Sequence, residues 1–185
     1  MTGTGVLWFI VGPSGVGKDS LIDRARLALA GNPDFVFPRR EITRAADAGG
    51  EDHVAVTVDD FETRRISGGY ALSWTANGLG YGVPRTIEGF LAEGRNVIVN
   101  GSRGALGETR SRYPDLRVIE ITVPAEILRA RLMARGRETM EEIEQRLHRA
   151  SAIKVSGDGV IRFSNDRPLE QSVDALVALL TGSSR

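Results

Sequence analysis

The stretch Gly12-Pro13-Ser14-Gly15-Val16-Gly17-Lys18 constrains this chain most, because it has the G-x-x-x-x-G-K spacing of a phosphate-cradling loop. Glycines let backbone N–H groups curl round phosphate oxygens with no Cβ in the way, and a helix beginning at the loop adds positive potential. The flanks meet both demands. Val6-Leu7-Trp8-Phe9-Ile10-Val11 is a continuously apolar, β-branched and aromatic run of the kind buried in a parallel sheet. After the loop, Leu21, Ile22, Ala25, Ala28 and Leu29 recur at helical spacing. The pattern predicts ATP phosphates held by Gly12, Pro13, Ser14, Gly15, Val16, Gly17, Lys18, Asp19 and Ser20, with Lys18 reaching the β- and γ-phosphates. Only two of the 24 Lys and Arg residues are lysines, and one stands here, so a turn that merely happens to be glycine-rich is the weaker account.

One position departs from the pattern. The residue after the loop lysine is ordinarily Ser or Thr, which ligates Mg²⁺, but here it is Asp19, followed by Ser20. An aspartate beside a triphosphate is repulsive unless a cation lies between them. The sequence therefore predicts an obligatory divalent ion, Mg²⁺, approached by Asp19; the plainer alternative is support for the positive end of its helix.

A length of 185 residues suits one domain with a sheet covered by helices on both faces. Zero net charge gives no global field for nucleic acid or an anionic membrane, so neither is an expected partner, and anion binding must come from local arginines. The absence of cysteine excludes disulfides, cysteine metal sites and thiol catalysis. The apolar run near the N-terminus is short, without a basic flank, and no long apolar segment follows, which predicts a soluble, cytoplasmic protein. Oligomeric state is left open, a homodimer included.

The rest of the chain reads as alternating strands and helices with one interruption. Phe35-Val36-Phe37 and Glu41-Ile42-Thr43-Arg44 suggest short strands, and the polar, glycine-bearing stretch from Ala45 to Asp52 an exposed loop. Val54, Val56 and Val58 alternate like a half-buried strand, Asp59 to Ser67 suggest a helix, and Tyr70 to Trp74 another strand. Residues from about 35 to 82 thus form a strand-rich insertion within a core of 1–34 and 83–185. Helices near Ile87, from about Arg103 to Tyr113, after Pro124 and from Pro168 to Leu180 alternate with strands at Asn96–Asn100, Val118–Val123 and Val160–Phe163. This predicts an α/β class: a doubly wound parallel sheet of P-loop type, with ligand at the carboxyl ends of its strands.

Arg135-Gly136-Arg137 ends one helix and precedes Thr139-x-x-Glu142, a capping-box start for the next, in which Arg146 lies two turns on. A mobile lid over about 134–148, bringing arginines over a triphosphate, is what phosphoryl transfer uses. Lys18, Arg135, Arg137 and Arg146 are accordingly the expected catalytic residues. Arg131 and Arg149 read as a solvated charged face.

With these pieces in place the chain resembles the guanylate kinase family over nearly its whole length. The resemblance rests on Gly-Pro-Ser-Gly-x-Gly-Lys at 12–18, Thr43-Arg44 opening the insertion, Tyr81-Gly82 closing it, and the Arg-Gly lid with Arg146-Leu147. It implies that the insertion binds the phosphoryl acceptor, which in that family is a nucleoside monophosphate. The family's second phosphate-binding arginine, guanine-reading glutamate and acidic residue after the next strand fall at Asp47, Ser73 and Asn100, all three changed. His53 replaces a phosphate-binding tyrosine, while Arg44 and Tyr81 are kept. Guanine presents N–H donors, so a pocket selecting it wants carboxylates facing them.

The stretches Ile42–His53, Ala71–Trp74 and Val99–Arg103 resemble instead the ribose 1,5-bisphosphate phosphokinases, relatives of guanylate kinase that also carry Lys-Asp-Ser in the loop. That resemblance implies ATP and ribose 1,5-bisphosphate as substrates, 5-phosphoribosyl 1-diphosphate as product, and a place in phosphonate catabolism. It implies acceptor binding by Arg44, Asp47, Asp52, His53, Ser73, Tyr81 and Asn100, with Asp47 and Asp52 assigned to ribose hydroxyls from side-chain type alone. A phosphate acceptor, with a second pKa of about 6, is mostly dianionic at neutral pH and needs no general base. Two alternatives stand beside this reading: a nucleoside monophosphate kinase of unusual specificity, and a catalytically silent interaction module. Lys18 together with Arg135 and Arg146 speaks against silence.

Overall fold

The structure, a computed structural model, describes residues 5–136 and 138–182. Its parallel sheet has the order β2-β7-β1-β8-β9, formed by β1 (Leu7–Val11), β2 (Phe35–Val36), β7 (Asn96–Asn100), β8 (Arg117–Thr122) and β9 (Val160–Ser164). Every residue of β1 and of β7 is buried, as continuous apolar runs demand when both faces of a strand are covered. β2 runs parallel to β7 with Phe35 opposite Asn96, and β8 parallel to β9 from Val118 opposite Val160 to Thr122 opposite Ser164.

Helix α1 (Lys18–Ala28) starts directly after the glycine loop, and α3 (Ile87–Ala92) precedes β7. The segment after β7 begins as a 3-10 turn, Arg103–Ala105, before α4 (Leu106–Arg112). α5 (Ala125–Arg135) ends on Gly136, whose φ of 62° is left-handed and turns the chain toward α6 (Met140–Ala152). The expected capping box forms: Thr139 Oγ1 accepts from Glu142 N at 3.3 Å, and Glu142 Oε2 accepts from Thr139 N at 2.7 Å. α7 (Leu169–Gly182) closes the described chain.

The insertion is a second, mixed sheet of order β4-β3-β6-β5, built from β3 (Glu41–Ile42), β4 (Val54–Ala55), β5 (Tyr70–Ala76) and β6 (Leu79–Pro84), with α2 (Val58–Ile66) between β4 and β5. Asn77 and Gly78, at φ 51° and 76°, make the two-residue turn of the β5–β6 hairpin. One expectation is corrected here. The alternating valines do not form one strand: β4 is two exposed residues, and Val58 opens α2 because Thr57 Oγ1 accepts from Asp60 N at 3.1 Å and caps the helix.

The chain divides into two compact units. One takes in residues up to Trp8, Ala30–Val99 and Gly104–Leu116; the other takes in Phe9–Leu29, Asn100–Arg103 and the chain from Arg117 onward. The phosphate loop belongs to the second and the insertion to the first.

Candidate active site

In the loop unit, backbone conformation comes first. Gly12, Gly15 and Gly17 have φ of 155°, 94° and 92°. A Cβ on Gly12 would lie 2.5 Å from the Ile121 carbonyl oxygen, and one on Gly17 would lie 2.7 Å from Asn165 Nδ2, so the loop's path excludes any larger residue at either position. Lys18 folds back across the loop, its Nζ donating to the carbonyls of Gly12 at 3.1 Å and Pro13 at 3.4 Å. The ammonium thus lies against the loop whose backbone N–H groups and following helix N-terminus favour phosphate.

Two side chains fix the loop from behind. Asn165, 3% exposed, donates from Nδ2 to the Val16 carbonyl at 2.7 Å. Arg131 donates from Nη1 to the same carbonyl at 3.1 Å and from Nη2 to the Asn165 carbonyl at 2.8 Å. The reading of Arg131 as a solvated face is thereby corrected: its guanidinium is spent on loop and β9 carbonyls. Arg146 donates from Nη1 to Ser14 Oγ at 2.8 Å and pairs through Nη2 with Glu138 at 3.1 Å. It therefore already touches the phosphate loop. Arg135, the last residue of α5, is exposed. Arg137 lies outside the described residues. Arg103 donates from Nη1 to the carbonyls of Ala150 and Ile153, both at 3.0 Å, and so satisfies the end of α6.

Asp19 and Asn100 lie together. Asn100 Nδ2 donates to Asp19 Oδ1 at 2.9 Å; Asn100 is 8% exposed, and Asp19 is exposed. Asn100 thus contacts the carboxylate that directly follows the loop lysine. Among the described residues no three His, Asp or Glu side chains form a metal cage. The Asp19 carboxylate, exposed on the first turn of α1, suits a hard cation that takes its other ligands from phosphate oxygens and water.

In the insertion, strand alternation gives two faces. On one, Glu41 accepts from the Tyr70 hydroxyl at 2.7 Å and pairs with Arg64 of α2, while Gly80 and Gly82 leave room for the Phe61 and Tyr70 rings. Burial, and then the Glu41 carboxylate, push the Tyr70 hydroxyl well above its ordinary pKa. On the other face Trp74 and Tyr81 stack, nearly parallel at 6° with centroids 5.7 Å apart. The Arg40 guanidinium covers them, 5.6 Å and 4.9 Å from the two rings. Arg40 is 9% exposed and bidentate to Glu51, at 2.9 Å and 2.6 Å. Ser73 is the cross-strand partner of Gly82, whereas Tyr81 is the partner of Trp74. Ser73 therefore faces the Glu41 and Tyr70 side, and the structure does not bring it onto one face with Tyr81.

Arg44 and His53 do meet. His53, 4% exposed, donates from Nε2 to the Arg44 carbonyl at 3.1 Å, and its Nδ1 lies 3.3 Å from Arg44 Nη2 and 3.0 Å from the Glu51 carbonyl. Arg44 Nε is buried with no acceptor among the described residues. A guanidinium N–H left in that state suits an incoming anion. Asp52 is engaged by Arg39 at 2.8 Å, both exposed, and Asp47 is exposed. Sequence reasoning missed Arg40, Glu51, Trp74, Asn165 and Arg103. The Arg39-Arg40 pair just ahead of a predicted strand was the available signal for the first.

A glycine loop ending in a lysine at a helix N-terminus, on a parallel sheet and with arginines reaching it from a following helix pair, defines a P-loop phosphotransferase. Its fold is guanylate kinase-like. A guanylate kinase from Anaplasma phagocytophilum superposes with a TM-score of 0.69 at 21% identity, over 99% of this chain and 88% of that one. No family model matches the chain. Ribose 1,5-bisphosphate phosphokinase PhnN from Desulfomicrobium baculatum is 49% identical over 174 residues, covering 94% of this chain and 93% of that protein. The same-named protein from Azotobacter vinelandii is 45% identical over 178 residues, covering 95% and 96%. The chain belongs to the ribose 1,5-bisphosphate phosphokinase family.

Proposed function

We propose that the protein transfers the γ-phosphoryl group of ATP to the 1-phosphate of ribose 1,5-bisphosphate, giving 5-phosphoribosyl 1-diphosphate and ADP. A P–O bond forms between the γ-phosphorus and a 1-phosphate oxygen while the bond to the β,γ-bridging oxygen breaks, its electron pair leaving with ADP. No proton has to be removed from a dianionic acceptor, so positioning and charge neutralisation carry the reaction. Lys18 meets charge on the β- and γ-phosphates, and Arg135 and Arg146 meet charge on the transferring group, with Arg137 assigned to the same lid. Asp19 would hold Mg²⁺, which would supply neutralisation of the phosphate charge. Arg44, backed by His53, takes an acceptor phosphate, and Asp47, Asp52 and Tyr81 are its proposed further contacts. On this reading the enzyme works in the cytoplasm, in the breakdown of phosphonates.

The observation that carries the choice of acceptor is Arg40. The stacked Trp74 and Tyr81 rings form a flat aromatic surface of the kind on which a base stacks, and that surface is covered by a guanidinium locked to Glu51. This supports an acceptor that is a phosphorylated ring with no base attached. The test offers ribose 1,5-bisphosphate, GMP and AMP separately with ATP and Mg²⁺, following ADP release and the product's diphosphate signals by phosphorus NMR. Turnover of the bisphosphate with the nucleotides poor is expected. GMP turnover without that of the bisphosphate returns the protein to nucleoside monophosphate kinases, and no turnover of any acceptor leaves an interaction module. No helix among the described residues is long and apolar enough to cross a membrane.

A further inference from the structure

P-loop kinases hold their metal with a hydroxyl after the loop lysine and a carboxylate at the end of a neighbouring strand. Here the carboxylate, Asp19, follows the lysine, and an uncharged amide, Asn100, ends β7, beside β1 in the sheet order. The two side chains touch, Nδ2 to Oδ1 at 2.9 Å. We propose that they are an exchanged metal pair: the helix supplies the carboxylate for the divalent ion, and Asn100 is a positioning residue that holds that carboxylate in place. The proposal deepens the assignment of Asp19 to the metal and rests on the ATP half of the proposed function.

Three observations support the exchange. The charge count is conserved, one carboxylate for the pair, as in a hydroxyl and carboxylate arrangement. A second carboxylate at Asn100 would face Asp19 at hydrogen-bond distance with like charge, and two uncharged groups would leave the ion no anionic protein ligand. The amide orientation is fixed by chemistry, since an ionised carboxylate only accepts and Nδ2 is the amide's only donor. And the platform is rigid. Asn100 is buried, and the next residue, Gly101, donates its N–H to the Ile10 carbonyl at 2.8 Å. A Cβ on Gly101 would lie 2.4 Å from the Phe9 ring. The Asp19 side chain is exposed on the first turn of α1, and the amide on the strand holds its carboxylate. Outer partners of metal ligands act in this way and typically change metal affinity about 10- to 100-fold.

The test measures ATP binding by calorimetry as a function of Mg²⁺, with Mn²⁺ binding to the ATP complex followed by EPR, and no acceptor present. It therefore reads the metal pair whether or not ribose bisphosphate turns over. Asp19→Ser and Asn100→Asp should each weaken metal-dependent ATP binding about 10- to 100-fold, and the double variant, which restores a hydroxyl and strand carboxylate, should recover to within a few fold of the parent. Asn100→Ala removes the donor without adding charge and should weaken Mn²⁺ binding by a similar factor, with the melting temperature showing that it folds. A double variant no better than the worse single overturns the exchange. So does an Asn100→Ala protein with an unchanged metal titration and a raised KM for the acceptor alone. If the double variant does not fold, Asn100→Ala decides by itself.

Discussion

The phosphate loop and the insertion hold their chemistry in different ways. The loop is seven consecutive residues whose task is done largely by backbone, so each position makes a local demand: a left-handed φ at Gly15 and Gly17, a close approach at Gly12, and a cation on the next helix. The insertion works through side chains brought together from separate strands: Arg40 with Glu51, Trp74 with Tyr81, and Glu41 with Tyr70 and Arg64. A site made by backbone is specified by adjacent residues; one made by side chains is specified by register. Variants in the two regions should therefore fail differently, in turnover for the first and in stability and acceptor choice for the second.

The largest effect belongs to the loop. Lys18→Ala should lower kcat by at least about 10³-fold, because the ammonium, which donates to two loop carbonyls, meets the charge on ATP. The melting temperature should stay within a few degrees. A large loss of stability would make the lysine a structural clip and erase the contrast. Arg135→Ala and Arg146→Ala should follow, each by about 10³-fold in kcat with smaller changes in ATP affinity. Arg146 also loses its bond to Ser14, so its effect on ATP affinity should be the greater of the two. Losses confined to KM would make both binding residues.

The insertion should respond in stability. Arg40→Ala leaves the Glu51 carboxylate, 12% exposed, without its bidentate partner. Breaking a buried pair costs about 3 kcal/mol, read by denaturant unfolding. ATP binding should be unchanged while the KM for the acceptor rises. With the guanidinium gone from the Trp74 and Tyr81 rings, GMP should also improve as an acceptor relative to the parent. If it does not, some other group excludes the base.

The same contrast explains what could be read in advance. The α/β alternation, the phosphate loop and the Thr139 capping box were legible because each is written in neighbouring residues. Arg131 reads as solvated in the sequence because its acceptors, Val16 and Asn165, lie 115 and 34 residues away. The resemblance groups Ser73 with Tyr81, yet cross-strand pairing with Gly82 turns Ser73 to the other face, which only register decides. Asn100 was assigned to the acceptor by resemblance, and its contact with Asp19, 81 residues away, could not be seen from spacing. Three alternate valines predict a strand through Val58, and a single capping threonine, Thr57, starts a helix there instead.

The smallest effect expected lies in the helix that carries Arg146. Thr139→Ala removes the N-cap acceptor of α6 and should cost about 1 kcal/mol of helix stability, seen as faster amide exchange in the first turn of α6. The cap is also sensitive to pH. The Thr139 backbone N–H and then its side chain, both bonded to Glu142, lower that carboxyl below its ordinary pKa. A carboxyl with a lowered folded-state pKa contributes stability that is present above the unfolded value, about 4.3, and lost as pH falls through the folded one. Exchange protection at the start of α6 should therefore weaken below about pH 4 in the parent, and Glu142→Gln should flatten that pH dependence while leaving α1 unaffected. Equal acid sensitivity in the two helices would mean that global unfolding, and not the cap, sets the response.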